Sequence, residues 1–498
     1  MKLKKTLSVL LTLCMLLSVQ GLAAYADDAR PVNAETVSYI DENGEPQTVE
    51  AVALTPGAGL IGAAGETNWY VLEGEYTGDS VIHTFDAVAN LILADGASWT
   101  ITNQNTFNLI SENGSLRLFA QENGTGTLRL SSRIYAGSGD VAIFGGNVTT
   151  TGLMADTRNG TLSVFGGVVH ADGLYTKDLI IAGGETDTAS MTVNGTVTVS
   201  GGKLNVQSAN SMALMSTGDI LISGGTVTSV GMNGLYSSSG SVSITGGSVT
   251  ATGRSMGISA ASGVSISGGT VNATGNTMGL FSRGPISVTG GTVNISGNTF
   301  GVYPSAEDAV VTLGADTPDS SYTFSGFLPN ATVTVKDGQT LTDGENDYSG
   351  TLSAEQVAAL ADATLTCKHL WNWVIDDEPT CGAAGKKHEV CSVCGKTQSE
   401  NTVLAPTGAH TGTIVNAKEA TATEDGYTGD TVCTVCGQTL AVGAVIPATG
   451  EAAPDEPTGS DGACLLCGET HDGGLFDGLL GIIHLVIYIL TYIYGVIR

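Results

Sequence analysis

Between Asp219 and Val302 the chain repeats itself every 22 residues, and few folds tolerate such a period. One column of the repeat holds Ile220, Val242, Val264 and Ile286, and a second holds Ile222, Ile244, Ile266 and Val288. A third, beyond a Gly-Gly pair, holds Val227, Val249, Val271 and Val293. Apolar residues alternate with small polar ones within each row, which is the period of a strand. The Gly-Gly pair breaks each row where a tight corner needs positive φ. A second break falls at Gly231, Gly253, Gly275 and Gly297, so each row suits one coil of three short strands. Identical coils stack their Val and Ile columns into ladders inside a tube, and the expected fold is an all-β parallel β-helix.

The rest of the chain reads as attachments to that tube. Met1 to Ala26 joins Lys2, Lys4 and Lys5 to the apolar run Leu7 to Val19 and the small-residue box Ala24-Tyr25-Ala26, the pattern of a secretory signal peptide. Its removal takes the formal charge from −29 to −32, and so acidic a chain repels nucleic acid and anionic lipid heads. Only Asp219, Arg254 and Arg283 carry formal charge from Asp219 to Val302, so the acid lies in the flanks, where it keeps a neutral solenoid soluble.

Residues 27–80 read as an N-terminal cap with first strands, including a hairpin turning at Asn43-Gly44. Gly-Gly pairs beginning at 145, 166, 183, 201, 224, 246, 268 and 290 mark coils across 81–302, some ten in all at about 4.8 Å each. From 303 to 366 the register is lost. This segment reads as the closing cap, with a short helix in LSAEQVAALADA whose Ser353 and Gln356 are spaced as a capping box.

The order VSYIDENGE, WYVLEGEY, LILADGASW, GTGTL and repeated ISGGTV resembles the carbohydrate-binding-domain-like secreted β-helix surface proteins of gut Firmicutes, which are pectate-lyase-like in shape. The resemblance covers about residues 35–345 and implies a right-handed parallel β-helix that holds plant or host glycans at a cell surface. Calcium-binding relatives place Asp pairs before the third strand. Here those places read Ser255-Met256, Asn276-Thr277-Met278 and Asn298-Thr299-Phe300, which argues against calcium.

An enzyme on this fold needs clustered carboxylates with a basic residue nearby. The candidates are Asp156, Arg158, His170, Asp172, Lys177 and Asp178, spread over more than one coil; His170 and Asp172 share a strand face by alternation, and a solvated surface pair is the preferred reading of them over a site. Tyr236, Phe281 and Tyr303 near the third strand are candidates to stack on sugars, set against the reading that single exposed aromatics are common and need no function.

Two copies of a small module follow, at 367–409 and 410–450, each closing in Cys-x-x-Cys-Gly and resembling the His/Cys repeats toward the C-terminus of many Firmicute surface proteins. Their alignment pairs His369 with His410, Cys391 with Cys433 and Cys394 with Cys436, and sets Cys381 against Ala422. Module one therefore offers His369, Cys381, Cys391 and Cys394 as a tetrahedral zinc set, while module two, with three ligands, is expected to hold zinc weakly or not at all. The competing reading in an oxidising compartment is a Cys391–Cys394 or Cys367–Cys381 disulfide.

An acidic linker (451–463) leads to a Cys-x-x-Cys fragment and an apolar tail (464–498). Leu479 to Ile497 is just long enough for a membrane-associated helix, and Gly481, His484, Tyr488, Thr491, Tyr492 and Gly495 share one face, so spanning is set against lying flat. The expectation is a secreted, non-catalytic protein of the cell surface, anchored to the membrane by this tail, whose partners are extracellular glycans or other surface polymers. A lyase-like or hydrolase-like enzyme and a purely structural stalk are the alternatives.

Overall fold

Alternation along the rows becomes three parallel ladders. The computed structural model describes residues 34–450 apart from 58–59, 105–106, 113, 307–308, 318–319, 330 and 361–362. Expectations placed on the leader (1–26), the linker (451–463) and the fragment with its apolar helix (464–498) lie outside the described residues. Among the described residues no helix is long and apolar enough to cross a membrane. The described residues divide into two compact units, one of 34–376 and Lys386–Thr402, the other of Asp377–Gly385 and 403–450.

Unit one is a parallel β-solenoid of about 12 turns. Its first face begins with Thr67–Leu72, Val88–Leu93 and Ser115–Ala120 in parallel register and ends with Val310–Leu313 and Thr332–Val335. Within it Ile220, Val242, Val264 and Ile286 are direct partners, each at most 2% exposed. The second-face column Val227, Val249, Val271 and Val293 is likewise in register and buried. One continuous apolar core therefore runs through the tube.

Both glycines of each corner are required, for different reasons. A Cβ on Gly224, Gly246 or Gly268 would meet a carbonyl of the previous coil at 2.3–2.4 Å, while Gly225, Gly247 and Gly269 have φ of 71°, 78° and 82°. At the second break a Cβ on Gly253 or Gly275 would lie 1.8 or 1.9 Å from the carbonyl oxygen of Met256 or Met278. No side chain fits where the chain doubles back so closely.

The solenoid is longer than the repeat suggests. Pro46–Ala53 already pairs in parallel with Thr67–Leu72, and Ile286 pairs with Val311 after an insertion around Pro304–Ala309. That insertion shifts the register without ending the stack, so the coils extend beyond 302 to Val335, where the sequence placed only a cap. Capping proper begins with Gln339–Thr342 and Ala363–Cys367, which run antiparallel to each other, and Ala363–Cys367 also pairs antiparallel with Ser321–Phe324. The helix Ala354–Ala359 carries the expected capping box: the Gln356 N–H donates to Ser353 Oγ, the Ser353 N–H donates to Gln356 Oε1, and Val357 is buried beneath it.

At the other end Ala34–Ile40 and Pro46–Ala53 form the expected hairpin, with Gly44 at φ 82° and the Asp41 carboxylate accepting the N–H groups of Asn43 and Glu45. Tyr39, Trp69 and Phe119 pack together there at ring separations of 4.6 and 5.1 Å. Phe144 and Phe165 continue the stack along the coils at 4.6 and 5.0 Å.

Candidate metal centres and outward faces

The Cys-x-x-Cys-Gly turn is built identically in both modules. The Gly395 N–H donates to the Cys391 carbonyl and the Cys391 N–H to Lys396, with Gly395 at φ 74°. Gly437, Cys433 and Gln438 repeat this, again with φ 74° at the glycine. Only glycine closes such a left-handed turn cheaply, and the closure aims two sulfurs at one point.

Around the first turn the ligand atoms of Cys367, His369, Cys391 and Cys394 all lie within 4.8 Å of one another. Cys394 Sγ is 3.3 Å from His369 Nδ1, and Cys367 Sγ is 3.9 Å from Cys391 Sγ. A tetrahedral ion with bonds of about 2.0–2.3 Å has ligand-to-ligand edges of about 3.5–3.8 Å, so these spacings fit a shared metal and are far from the roughly 2.05 Å of a disulfide. Trp371 packs its ring 4.9 Å from that of His369. The ligands come from two sources. Cys367 ends the capping strand Ala363–Cys367, whereas Cys391 and Cys394 close the sheet formed by Trp371–Asp377, Gly385–Cys391 and Thr397–Leu404.

Cys381 is not in this set, and the expected grouping of His369, Cys381, Cys391 and Cys394 is corrected on that point. The strand Trp371–Asp377 carries the chain away from the first turn, and Cys381 sits in the bend beyond it, beside His410, Cys433 and Cys436. Cys367 takes the place expected of Cys381. In sequence, the short spacing Cys367-Lys368-His369 was the signal that could have revealed this.

Electrostatics separates the thiols within each set. Burial would raise the Cys391 thiol, but the Cys394 backbone N–H, His369 and the Val393 N–H outweigh it and bring its pKa down to about 6. The Cys436 and Val435 N–H groups lower Cys433 to about 6 in the same way. Burial, reinforced by neighbouring thiols, pushes Cys367 up to about 12 and Cys381 up to about 11. Each set thus holds one thiol whose ionisation is favoured by its N–H donors and one whose ionisation is opposed by burial.

On the solenoid, four of the six polar candidates form two local pairs. Arg158 reaches back to Asp156, and Lys177 lies 3.3 Å from Asp178. His170 Nδ1 lies 3.1 Å from Asp187 Oδ2 one coil on, a partner the sequence reading missed. Asp178 accepts the Thr196 N–H at 2.6 Å, as Asp140 and Asp219 accept those of Thr161 and Ser241 at 2.6 and 2.7 Å. These carboxylates staple one coil to the next. Thr149, His170, Asp172, Asp187, Asn205 and Gln207 line a shallow open depression on the second face.

The third face carries an outward column. In register from coil to coil it reads Tyr135, Met154, Tyr175, Thr192, then Met215, Tyr236, Ser259, Phe281 and Tyr303. Its five aromatic rings are half-buried, and Phe281 stacks on Tyr303 with ring centroids 5.8 Å apart. Tyr236, Phe281 and Tyr303 were expected on this face; Tyr135 and Tyr175 were not. On the second face of the regular coils Thr226, Ser248, Thr270 and Thr292 form one exposed column, with Thr228, Thr250, Asn272 and Asn294 beside it.

Comparison with protein-family models, with curated proteins and with solved structures returns no match.

Proposed function

We propose that this chain is a non-catalytic binding protein of the cell surface that holds extended glycans along the third face of its solenoid. The observation that carries the reading is the axial column of half-exposed rings, Tyr135, Tyr175, Tyr236, Phe281 and Tyr303. Flat aromatic faces stack on the apolar faces of sugar rings, and a column running along the stack suits a linear polymer better than a single small ligand. Hydroxyl and amide groups on the adjoining second face supply hydrogen-bond partners without charge, matching the demands of a neutral polysaccharide. The leader exports the chain and the apolar tail holds it at the membrane in this reading.

The Cys367, His369, Cys391 and Cys394 set supports zinc as the structural metal of module one, since three thiolates and an imidazole form a closed tetrahedral set with no open position for chemistry. In this role zinc fastens the module to the capping strand.

A glycan array with the purified chain tests the function. Binding to linear polysaccharides that falls about a hundredfold in Tyr135→Ala/Tyr236→Ala/Tyr303→Ala, at about 1 kcal/mol per ring, is the expected result. Release of shortened or unsaturated sugars by the wild type, or binding indifferent to the three substitutions, would overturn the reading.

A further inference from the structure

We infer that module two holds a second zinc ion, on Cys381, His410, Cys433 and Cys436, and that each metal site borrows one thiolate from the segment before it. The ligand atoms of these four residues lie within 4.8 Å of one another. Cys381 Sγ is 3.6 Å from Cys433 Sγ, and Cys436 Sγ is 3.4 Å from His410 Nδ1. These spacings repeat those of the first set and approximate the edges of a tetrahedron around an ion bonded at about 2.0–2.3 Å. Cys381 and Cys433 are buried at 8% and 2% exposure, as ligands of a closed structural site should be. Three thiolates and a neutral imidazole would hold the divalent ion with a net charge of −1, the thiol protons passing to solvent on binding.

The borrowing rule follows from the bend that carries Cys381. Its N–H pattern is Thr380 to the Ala383 carbonyl, Ala383 to Thr380 Oγ1, and Thr407 to the Thr380 carbonyl. Module two repeats the bend at Thr421, Glu424 and Thr449 with the same three bonds. The bend is therefore a fixed part of each module, and in module one it serves the next module's turn: a Cβ on Gly382 would lie 3.3 Å from Cys436 Cβ. The solenoid's last capping strand does the same for module one through Cys367. In module two the equivalent position is Ala422, so that module receives a thiolate and passes none on. Ala422 is thus the point where the borrowing stops, and not a lost ligand of module two's own site. This inference stands on the module geometry alone and is independent of what the solenoid binds.

Substitutions in pairs test it in the full chain. Protein reduced, loaded with Zn(II) and held against a weak competing chelator is weighed intact by native mass spectrometry. Cys381→Ser and Cys433→Ser should each remove one zinc, and the two together should still remove only one. Cys381→Ser combined with Cys391→Ser should remove two, because those residues serve different ions. Co(II) in place of zinc reports the surviving site: Cys381→Ser should keep the thiolate–cobalt absorption of the Cys367, His369, Cys391 and Cys394 set, which shows that the module still folds. If Cys381→Ser/Cys391→Ser loses a single zinc, Cys381 belongs to module one and the borrowing rule is wrong. A zinc content unchanged by Cys433→Ser, or a Cys381–Cys433 disulfide with no metal in protein secreted by its host, would equally overturn the inference.

Discussion

The Tyr70 hydroxyl donates a 2.6 Å hydrogen bond to the carboxylate of Asp86, a side chain with no exposed surface. The same carboxylate accepts from the Ala63 N–H, Asn68 Nδ2 and Thr84 Oγ1 at 2.8–2.9 Å. Four donors satisfy the buried carboxyl oxygens, and burial together with the Asp86 hydrogen bond raises the Tyr70 pKa. Asp86→Ala strands these donors and should cost about 3 kcal/mol locally. Hydrogen exchange is the measure: amides of Thr67–Leu72 and Val88–Leu93 should lose protection while the coils beyond Asp219 keep theirs.

Corner glycines should rank by what surrounds them. Gly44 and Gly247 have nearly equal φ, 82° and 78°, but a Cβ on Gly44 meets nothing within 4 Å and one on Gly247 lies 2.7 Å from the carbonyl oxygens of Gly224 and Gly225. Gly44→Ala then carries only the left-handed backbone cost of about 1–2 kcal/mol. Gly247→Ala adds a clash that only displacement of the neighbouring coil relieves. Calorimetry should find the larger drop in melting temperature for Gly247→Ala; equal drops would show that the corner is not held by close approach.

Those corners were legible because a fixed period superimposes them, so each Gly-Gly pair announced its turn and each Val or Ile column its ladder. The insertion at Pro304–Ala309 broke the period without breaking the stack, which hid the last coils. The aromatic column was legible only where spacing is regular, at Tyr236, Phe281 and Tyr303; Tyr135 and Tyr175 sit in coils of unequal length, and only the pairing aligns them. Cys381 misled for a different reason. Aligning two copies of a repeat matches positions within each copy, whereas a thiol on an outlying bend can serve the other copy's site, and no alignment of the repeats encodes that exchange.

Tyr322 gives the solenoid a dependence on alkaline pH. It has no exposed surface, donates to the Gly314 carbonyl at 2.7 Å, and burial pushes its pKa up to about 12. The folded value lies above the unfolded one near 10, so the neutral phenol is the form folding favours. Its contribution is complete below pH 10 and is lost as pH rises from about 10 through 12, on the order of 2–3 kcal/mol in all. Tyr322→Phe has no phenol to ionise. The stability gap between wild type and Tyr322→Phe should shrink over that window, and a gap constant with pH would show that the hydroxyl is not held neutral.

Metal at the first site should decide whether module one stays folded against the solenoid cap. Beside Cys367, the Lys368 N–H donates to the Gly338 carbonyl of the cap, and Val393 and Leu370 lie next to Gly338. The module's sheet is thin, with Trp373, Val374 and Ile375 between 43% and 49% exposed, so burial alone supplies little of its stability. A structural zinc contributes its binding free energy directly to folding. Removing it with a strong chelator, or breaking the set with Cys367→Ser, should open the strand Gly385–Cys391 to trypsin at Lys386 and Lys387 at least tenfold faster. Arg254 and Arg283 act as internal controls because they lie in the regular coils, whose ladders owe nothing to the metal, and cleavage there should not change. Cleavage at Lys386 unaltered by chelator would mean that the module holds together without its ion.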